Sequence, residues 1–323
     1  MWNVIECAGH PRDLGFEQGL ALRSAIRQCA EKAGLPTQRR RWPGLSAYAG
    51  GRVRGSGTAR EMIRHFTHLA ERADGLARGA GIPLDSILRL QGATNFGKEG
   101  ALALCATDVG GATGASLVRT LSGAPWLVRR SRPEVGFASL EITEAWQVSG
   151  LAGVNEVGLA ACMVPGLGDP LAPAVELATP CPPAASSHFL VQECLQRFEE
   201  VEAGIGWCLS RPSAGEGTIL LADAAGHRGA VHFGPGGVAA ERAGSGPVIA
   251  GTPARAIESL GAWMSSSDAD RGSLAHAMGA EAGSTMLRLI CAENRLELQD
   301  GADQERILSL RMDPGSGVEG TPR

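Results

Sequence analysis

Beyond Cys105 the chain breaks into short β-prone runs separated by glycines, and this texture limits the folds open to it more than any other feature. The runs are Ala115 to Leu121, Trp126 to Val128, Phe137 to Ile142 and Trp146 to Val148. Each has the length and residue types of a strand. Leu151 to Val164 contains Gly153-Val154-Asn155-Glu156-Val157-Gly158-Leu159, which reads as two strands with Asn-Glu at the turn. Thr218 to Ala222 and Gly229 to Phe233 form a second hairpin candidate around Asp223-Ala224-Ala225-Gly226, and Met286 to Cys291 and Ile307 to Met312 supply two last strands. Aromatic residues make up 4% of the 323 residues while glycine numbers 45. Such sheets must pack through small and aliphatic side chains, with many close backbone approaches.

Helical patterns lie mainly ahead of this region. A short strand over residues 2–7 and a turn at Ala8-Gly9-His10-Pro11 lead into a helix from Asp13 to Ala33, stopped by Gly34. Thr58-Ala59-Arg60-Glu61 has capping-box form and opens a second, with Met62, Phe66, Leu69, Ala73 and Leu76 on one face and Gly79 and Gly81 at its end. A short helix carries Ile87, Leu88 and Leu90. Further helices are expected over 188–203, 255–264 and 273–278. Helices, paired strands, helices and strands follow one another without βαβ alternation, which favours antiparallel sheets covered by helices. We expect a single domain over 1–312 and a disordered tail over 313–323.

Net charge is −4, so nothing favours nucleic acid, and the basic run Gln38-Arg39-Arg40-Arg41-Trp42 reads as a solvated loop. No apolar run reaches the ~18 residues of a membrane span, and the start of the chain lacks a signal-peptide pattern; a cytoplasmic location is the default expectation. The eight cysteines are scattered without metal-ligand spacing, so neither zinc nor a disulfide framework is indicated, and no cofactor is implied. His65 and His68 stand three apart on one helix but lack a carboxylate to complete a metal site, and they read as a solvated face.

Cys105 is the candidate nucleophile. It follows the apolar run Ala101 to Leu104, and cutting Leu104-Cys105 would put a thiol and a free α-amine on one residue, the amine serving as general base. A buried strand cysteine is the plainer reading. A lipoprotein cleavage signal is disfavoured by the internal position and the large Leu104.

Several stretches together resemble a known family. Gly9-His10-Pro11-Arg12-Asp13-Leu14-Gly15-Phe16-Glu17-Gln18-Gly19 fits a Gly-x-Pro-x-x-x-Gly-x-x-x-Gly opening, and Ala70 to Gly81 followed by Leu84 to Leu90 fits a helix ending in a Gly-Ala-Gly-Ile turn. Cys105-Ala106-Thr107 is similar to a Cys-Thr nucleophile segment, the 153–159 run to a Gly-x-Asn-Glu-x-Gly-Leu hairpin, and Leu221 to Gly226 to an Asp-x-x-Gly turn. The chain thus resembles the cysteine branch of the N-terminal-nucleophile (Ntn) hydrolases, most of all the acyl-coenzyme A:6-aminopenicillanic acid acyltransferase-like group (peptidase C45), with bile-salt hydrolases and acid ceramidase-type amidases more distant.

The resemblance implies an α+β fold, a four-layer αββα sandwich with two antiparallel sheets. It also implies autocatalytic cleavage into 1–104 and 105–312, and hydrolysis or transfer of the acyl group of a small amide, peptide or acyl thioester through a cysteine acyl-enzyme. Cys105 would be the nucleophile, Arg119 would lower its pKa and anchor a polar substrate group, and Asn155 would donate to the oxyanion. Plainer readings are a strand-edge arginine for Arg119 and a turn asparagine for Asn155.

The chain departs from the family pattern at three points. Ser122 stands where an aspartate holding the α-amine is expected, Gly251 where a second asparagine is expected, and Leu104 where a small or polar residue is common. Asp108 is a poor substitute, since strand alternation turns it away from Cys105. A protein that keeps the fold without the standard hydrolase activity, as a binding or scaffold protein or with altered chemistry, therefore stands as the alternative, and an uncleaved Cys-His enzyme as a third reading that needs a histidine beside Cys105.

Overall fold

The computed structural model describes residues 3–38, 56–92, 102–107, 114–121, 126–165, 185–211, 213–214, 216–234, 237–243, 247–251, 278, 284–300 and 307–312. The order of elements is β1 (Asn3–Gly9), α1 (Pro11–Ala21), α2 (Arg23–Lys32), α3 (Ser56–His65), α4 (Thr67–Ala80), α5 (Leu84–Gly92), β2 (Leu102–Thr107), β3 (Ala115–Leu121), β4 (Leu127–Pro133), β5 (Ser139–Thr143), β6 (Ala152–Asn155) and β7 (Ala160–Pro165). Then come β8 (Ala185–Ser186), α6 (Phe189–Arg197), α7 (Val201–Ser210), β9 (Ser213–Ala214), β10 (Gly217–Ala222), β11 (Arg228–Gly234), β12 (Gly237–Ala243), β13 (Val248–Gly251), β14 (Thr285–Ile290), β15 (Arg295–Asp300) and β16 (Ile307–Arg311).

The fold is α+β. Eight strands form one sheet in the order β1-β4-β5-β6-β7-β10-β11-β12, and six form a second in the order β13-β2-β3-β14-β15-β16. The two lie face to face, with β2 and β3 packed across β7 and β10. Antiparallel hairpins dominate, but β1 joins β4 in parallel, so the larger sheet is mixed rather than purely antiparallel. Helices α1, α4, α6 and α7 cover the outer face of the larger sheet. Both faces of β3 and β14 are buried. The helices expected over 255–264 and 273–278 lie outside the described residues, apart from Met278, as does the tail over 313–323.

The glycines of the N-terminal pattern have a packing reason. Gly15 and Gly19 on α1 face Gly75 and Gly79 on α4, and the backbones nearly touch: a Cβ on Gly15 would lie 1.9 Å from the Arg72 carbonyl oxygen, and one on Gly75 1.9 Å from that of Arg12. Gly79 is therefore inside the helix, and the stop is Gly81, left-handed at φ 69°. The single helices expected over 13–33 and from Thr58 are each broken once, at Leu22 and Phe66. The helix expected over 188–203 breaks near Phe198 into α6 and α7.

Trp146 to Val148 is not a strand. The chain bends there, and its carbonyls accept from buried side chains: Gln147 from Gln18 and Arg129, Val148 from Arg129. β12, β13 and β15 were not expected from the sequence. β12 and β13 lack a clear alternation and are defined by cross-strand pairing, whereas β15 does alternate, with Leu296 and Leu298 buried.

Candidate active site

Cys105 sits within β2, inside the smaller sheet, paired with Leu117 on β3 and Val248 on β13. Directly opposed residues share a face, so Cys105 and Leu117 both point into the space between the sheets. There the Cys105 Sγ donates to the Leu221 carbonyl of β10 at 3.6 Å. The side chain is 0% exposed, and β2 runs unbroken across Leu104 and Cys105. Burial holds the thiol well above its ordinary pKa, with Cys291, Asp223 and Cys162 adding to the rise and Arg228 opposing it. In this uncut chain Cys105 is a protonated, desolvated thiol.

Arg119 shares that face. It pairs with Ala103 on β2 and Leu287 on β14, one step along from Leu117. Its guanidinium crosses to the larger sheet, where Nη1 donates to the Met163 carbonyl and reaches Cys162 Sγ at 3.6 Å, while Nε is buried without a hydrogen-bond partner among the described residues. Arg228, at the start of β11, donates from Nη1 to Thr107 Oγ1 at 3.3 Å, and its charge opposes the rise in the Cys105 pKa. Since Thr107 is two residues beyond Cys105 on the same face, Arg228 approaches the nucleophile from the opposite end to Arg119.

Asp223 follows β10 directly, and its carboxylate is engaged by the start of α7 and by its own turn. It is buried, and its Oδ2 accepts from the Val201 N–H at 3.1 Å and lies 3.1 Å from His227 Nδ1, while Oδ1 accepts from the His227 N–H at 3.0 Å. The sequence signal was the Asp-x-x-Gly turn itself; what it did not reveal is that Arg228, next to His227, faces the nucleophile strand. His227 is 73% exposed and tied to Asp223, and it is the histidine this turn contributes to the region.

Asn155 lies elsewhere. Its Nδ2 donates to the Leu195 carbonyl at 3.0 Å and the Phe198 carbonyl at 2.8 Å, and its Oδ1 accepts from the Val157 and Leu159 N–H groups. Both amide hydrogens and the oxygen are thus spent fastening the β6–β7 turn to the end of α6, on the outer face of the larger sheet. The residue is a latch between hairpin and helix, and its amide is not directed at Cys105. This is the plainer of the two readings of that asparagine, taken further than turn geometry alone predicts. Ser122 and Asp108 lie outside the described residues. Gly251 ends β13 opposite Leu102.

His65 and His68 do not share a ligand. His65 Nε2 pairs with Glu61 at 3.2 Å, and His68 Nε2 with Glu193 at 2.6 Å. Among the described residues no group of three His, Cys, Asp or Glu side chains is arranged to hold a metal, and no helix is long and apolar enough to cross a membrane.

No protein-family profile matches the chain, and no curated sequence does. Solved structures share part of its layout. A penicillin V acylase from Agrobacterium tumefaciens is 14% identical over 65% of this chain and 86% of its own, with a TM-score of 0.39. A Caenorhabditis elegans ortholog of N-acylethanolamine-hydrolyzing acid amidase is 11% identical over 66% and 100%, with a TM-score of 0.43. A mutant of conjugated bile acid hydrolase from Clostridium perfringens is 9% identical over 66% and 92%, with a TM-score of 0.42.

Proposed function

We propose that the protein is a cysteine-nucleophile amidohydrolase or acyltransferase of the Ntn type, acting on a small amide, peptide or acyl thioester, and that the uncut chain is its latent precursor. The observation that carries this reading is the position of Cys105 on the inner face of β2, with Arg119 on the same face of β3 and Arg228 and Thr107 at the other end. A strand cysteine chosen only for packing has no need of two arginines at one face.

In the precursor step, Cys105 Sγ attacks the Leu104 carbonyl carbon, the Leu104–Cys105 C–N bond breaks, and the amide nitrogen takes the thiol proton to leave a thioester and a free α-amine. Water then hydrolyses the thioester, freeing the thiol at a new N-terminus. The α-amine accepts the thiol proton, the thiolate attacks the substrate carbonyl, and water or an amine resolves the acyl-enzyme. Arg228 stabilises the thiolate from the Thr107 side, and Arg119 holds the inner wall or a polar group of the substrate. Burial keeps the thiol protonated before cleavage, which suits a precursor that must not react with other acyl groups.

A second reading is favoured by a specific observation. Asn155 has no free amide hydrogen for an oxyanion, and losing one such donor costs ~100- to 1,000-fold in rate. A protein that keeps the fold as a binding scaffold fits that finding. Intact mass of the freshly purified protein, with N-terminal sequencing of any fragment, separates the two. Two chains, the larger beginning at Cys105, with a single chain for Cys105→Ala, support the enzyme. One full-length species in both proteins, unlabelled by a thiol electrophile, overturns it in favour of the scaffold.

A further inference from the structure

Two buried thiols on the outer layer touch. Cys194 on α6 and Cys208 on α7 stand 14 residues apart in the chain and are both 0% exposed, and their Sγ atoms lie 3.7 Å from each other with either able to donate. Among the described residues this is the one contact of thiol on thiol, and the other described cysteines have no such neighbour. The hydrogen bond with Cys208, together with burial, holds the Cys194 thiol well above its ordinary pKa. In the folded chain the pair is therefore protonated and unreactive.

Two consecutive helices bring the sulfurs together. α6 ends at the break near Phe198 and α7 follows it across the outer face of the larger sheet. The backbone of α7 comes close to Cys194 at Gly204, where a Cβ would lie 3.6 Å from its Sγ. Residues four apart on a helix share a face, so Gly204 and Cys208 look the same way. Sulfurs already in contact on helices this close need only side-chain rotation to reach the ~2.05 Å of a disulfide. As thiols they contribute little beyond the packing of two small apolar groups.

We propose that Cys194 and Cys208 form a disulfide that staples α6 to α7, made while the chain folds, with a low-molecular-weight disulfide as oxidant. The thiolate of one cysteine attacks a sulfur of that small disulfide, whose S–S bond breaks, and its other half leaves as a thiolate and takes up a proton. The second protein thiolate then attacks the protein sulfur of the mixed disulfide, the bond to the small molecule breaks, and the second half leaves in the same way. Two protein thiols are oxidised to one disulfide, one small disulfide is reduced to two thiols, and two protons pass from the first pair to the second. Folding then buries the bond away from reducing thiols, whereas a chain that folds in a reducing environment keeps the dithiol. Leu195 and Phe198, whose carbonyls receive the Asn155 amide, lie one and four residues beyond Cys194, so the staple ties α7 to that latch. The pair lies on the opposite face of the larger sheet from Cys105, and the proposal does not depend on the activity assigned to that residue.

The test uses the full chain, reduced and unfolded in urea, then returned to native buffer with equal concentrations of oxidised and reduced glutathione. The product is trapped with iodoacetamide in urea and mapped by peptide mass spectrometry. A Cys194–Cys208 bond is expected, with the remaining six of the eight cysteines alkylated. The oxidised protein is expected to melt at least about 2 °C above the same chain kept reduced. Cys208→Ala is expected to melt alike in both buffers, and Cys194→Ala takes its place if that variant does not fold. If the parent does not refold from urea, protein secreted to a bacterial periplasm is compared in the same way with protein made in the reducing cytoplasm. Eight alkylated cysteines in the parent, a bond from either cysteine to a different partner, an oxidised form that melts no higher than the reduced one, or the same rise in Cys208→Ala would each overturn the proposal.

Discussion

The Glu141 cluster on the outer face of the larger sheet and the surroundings of Cys105 on its inner face treat buried polar groups in opposite ways. On the outer face, beneath α1, α4 and α6, Arg129, Glu141, Gln18, Gln192, Ser131 and Ser139 form a hydrogen-bonded cluster in which Arg129 alone contacts Glu141, Gln18, Gln192 and two carbonyls. On the inner face the polar groups are sparse and loosely partnered: a thiol on a carbonyl at 3.6 Å, and an arginine with an unpartnered Nε. A saturated cluster fixes structure, whereas donors left over are available for chemistry or ligands. Asn155, fully used on the outer face, and Cys105, hardly used on the inner one, mark the two ends of that scale.

The largest expected effect comes from breaking the outer cluster. Burial alone would raise the Glu141 pKa, but Arg129 and Arg72, with hydrogen bonds from Ser139 and Gln192, overcome it and hold the carboxylate below its ordinary value. Glu141→Ala leaves both guanidiniums uncompensated and should destabilise the fold by about 3–5 kcal/mol in urea unfolding. A loss near zero would mean that the cluster is not the anchor of that face.

Asn155→Ala tests which face that residue serves. As a latch it should cost about 3 kcal/mol of stability, because buried N–H and C=O groups lose their partners. A stable Asn155→Ala protein with altered acyl chemistry alone would instead return Asn155 to the active site.

Glu144 sharpens the contrast with Glu141, three residues away. Among the described residues no cation opposes its burial and its Oε2 has no hydrogen-bond partner, and burial raises its pKa from 4.5 to about 7. The folded state therefore holds a proton that the unfolded chain releases, so stability is highest below about pH 4.5 and falls as pH rises through about 7. Up to about 3 kcal/mol rides on this one group, and Glu144→Gln should flatten that part of the pH profile. The smallest effect belongs to the inner face. Cys105→Ala, whatever it does to processing, should change unfolding stability by about 1 kcal/mol or less, since it breaks no polar network.

Much of this was legible in the chain. The run Ala115 to Leu121 is β3 as it stands, and the hairpins around Glu156 and Asp223 were read from turn residues whose backbone conformation is local, with Gly158 and Gly226 at positive φ. The helix breaks at Leu22 and Phe66 carry no proline or glycine, so nothing local announced them; both residues are buried, Phe66 against Phe189 from far along the chain. The Asn155 amide was legible as a turn residue but not as a latch, because its partners, the Leu195 and Phe198 carbonyls, are 40 and 43 residues away.

What the sequence by itself determined is therefore the alternation of strands and turns, the glycines at which α1 and α4 meet, and Cys105 as the residue around which chemistry would be sought. Periodicity, turn preference and side-chain volume act over a few residues and leave their mark in the local pattern. Only the tertiary structure decided that Arg228 meets the nucleophile strand at Thr107 while Arg119 turns to the Met163 carbonyl, that Glu141 is saturated and Arg72 left over, and that among the described residues no cation opposes the burial of Glu144. Those outcomes depend on how strands and helices distant in the chain divide a small number of opposite charges at short range. Electrostatic energy in a desolvated interior varies with each ångström of that arrangement, and local sequence does not record it.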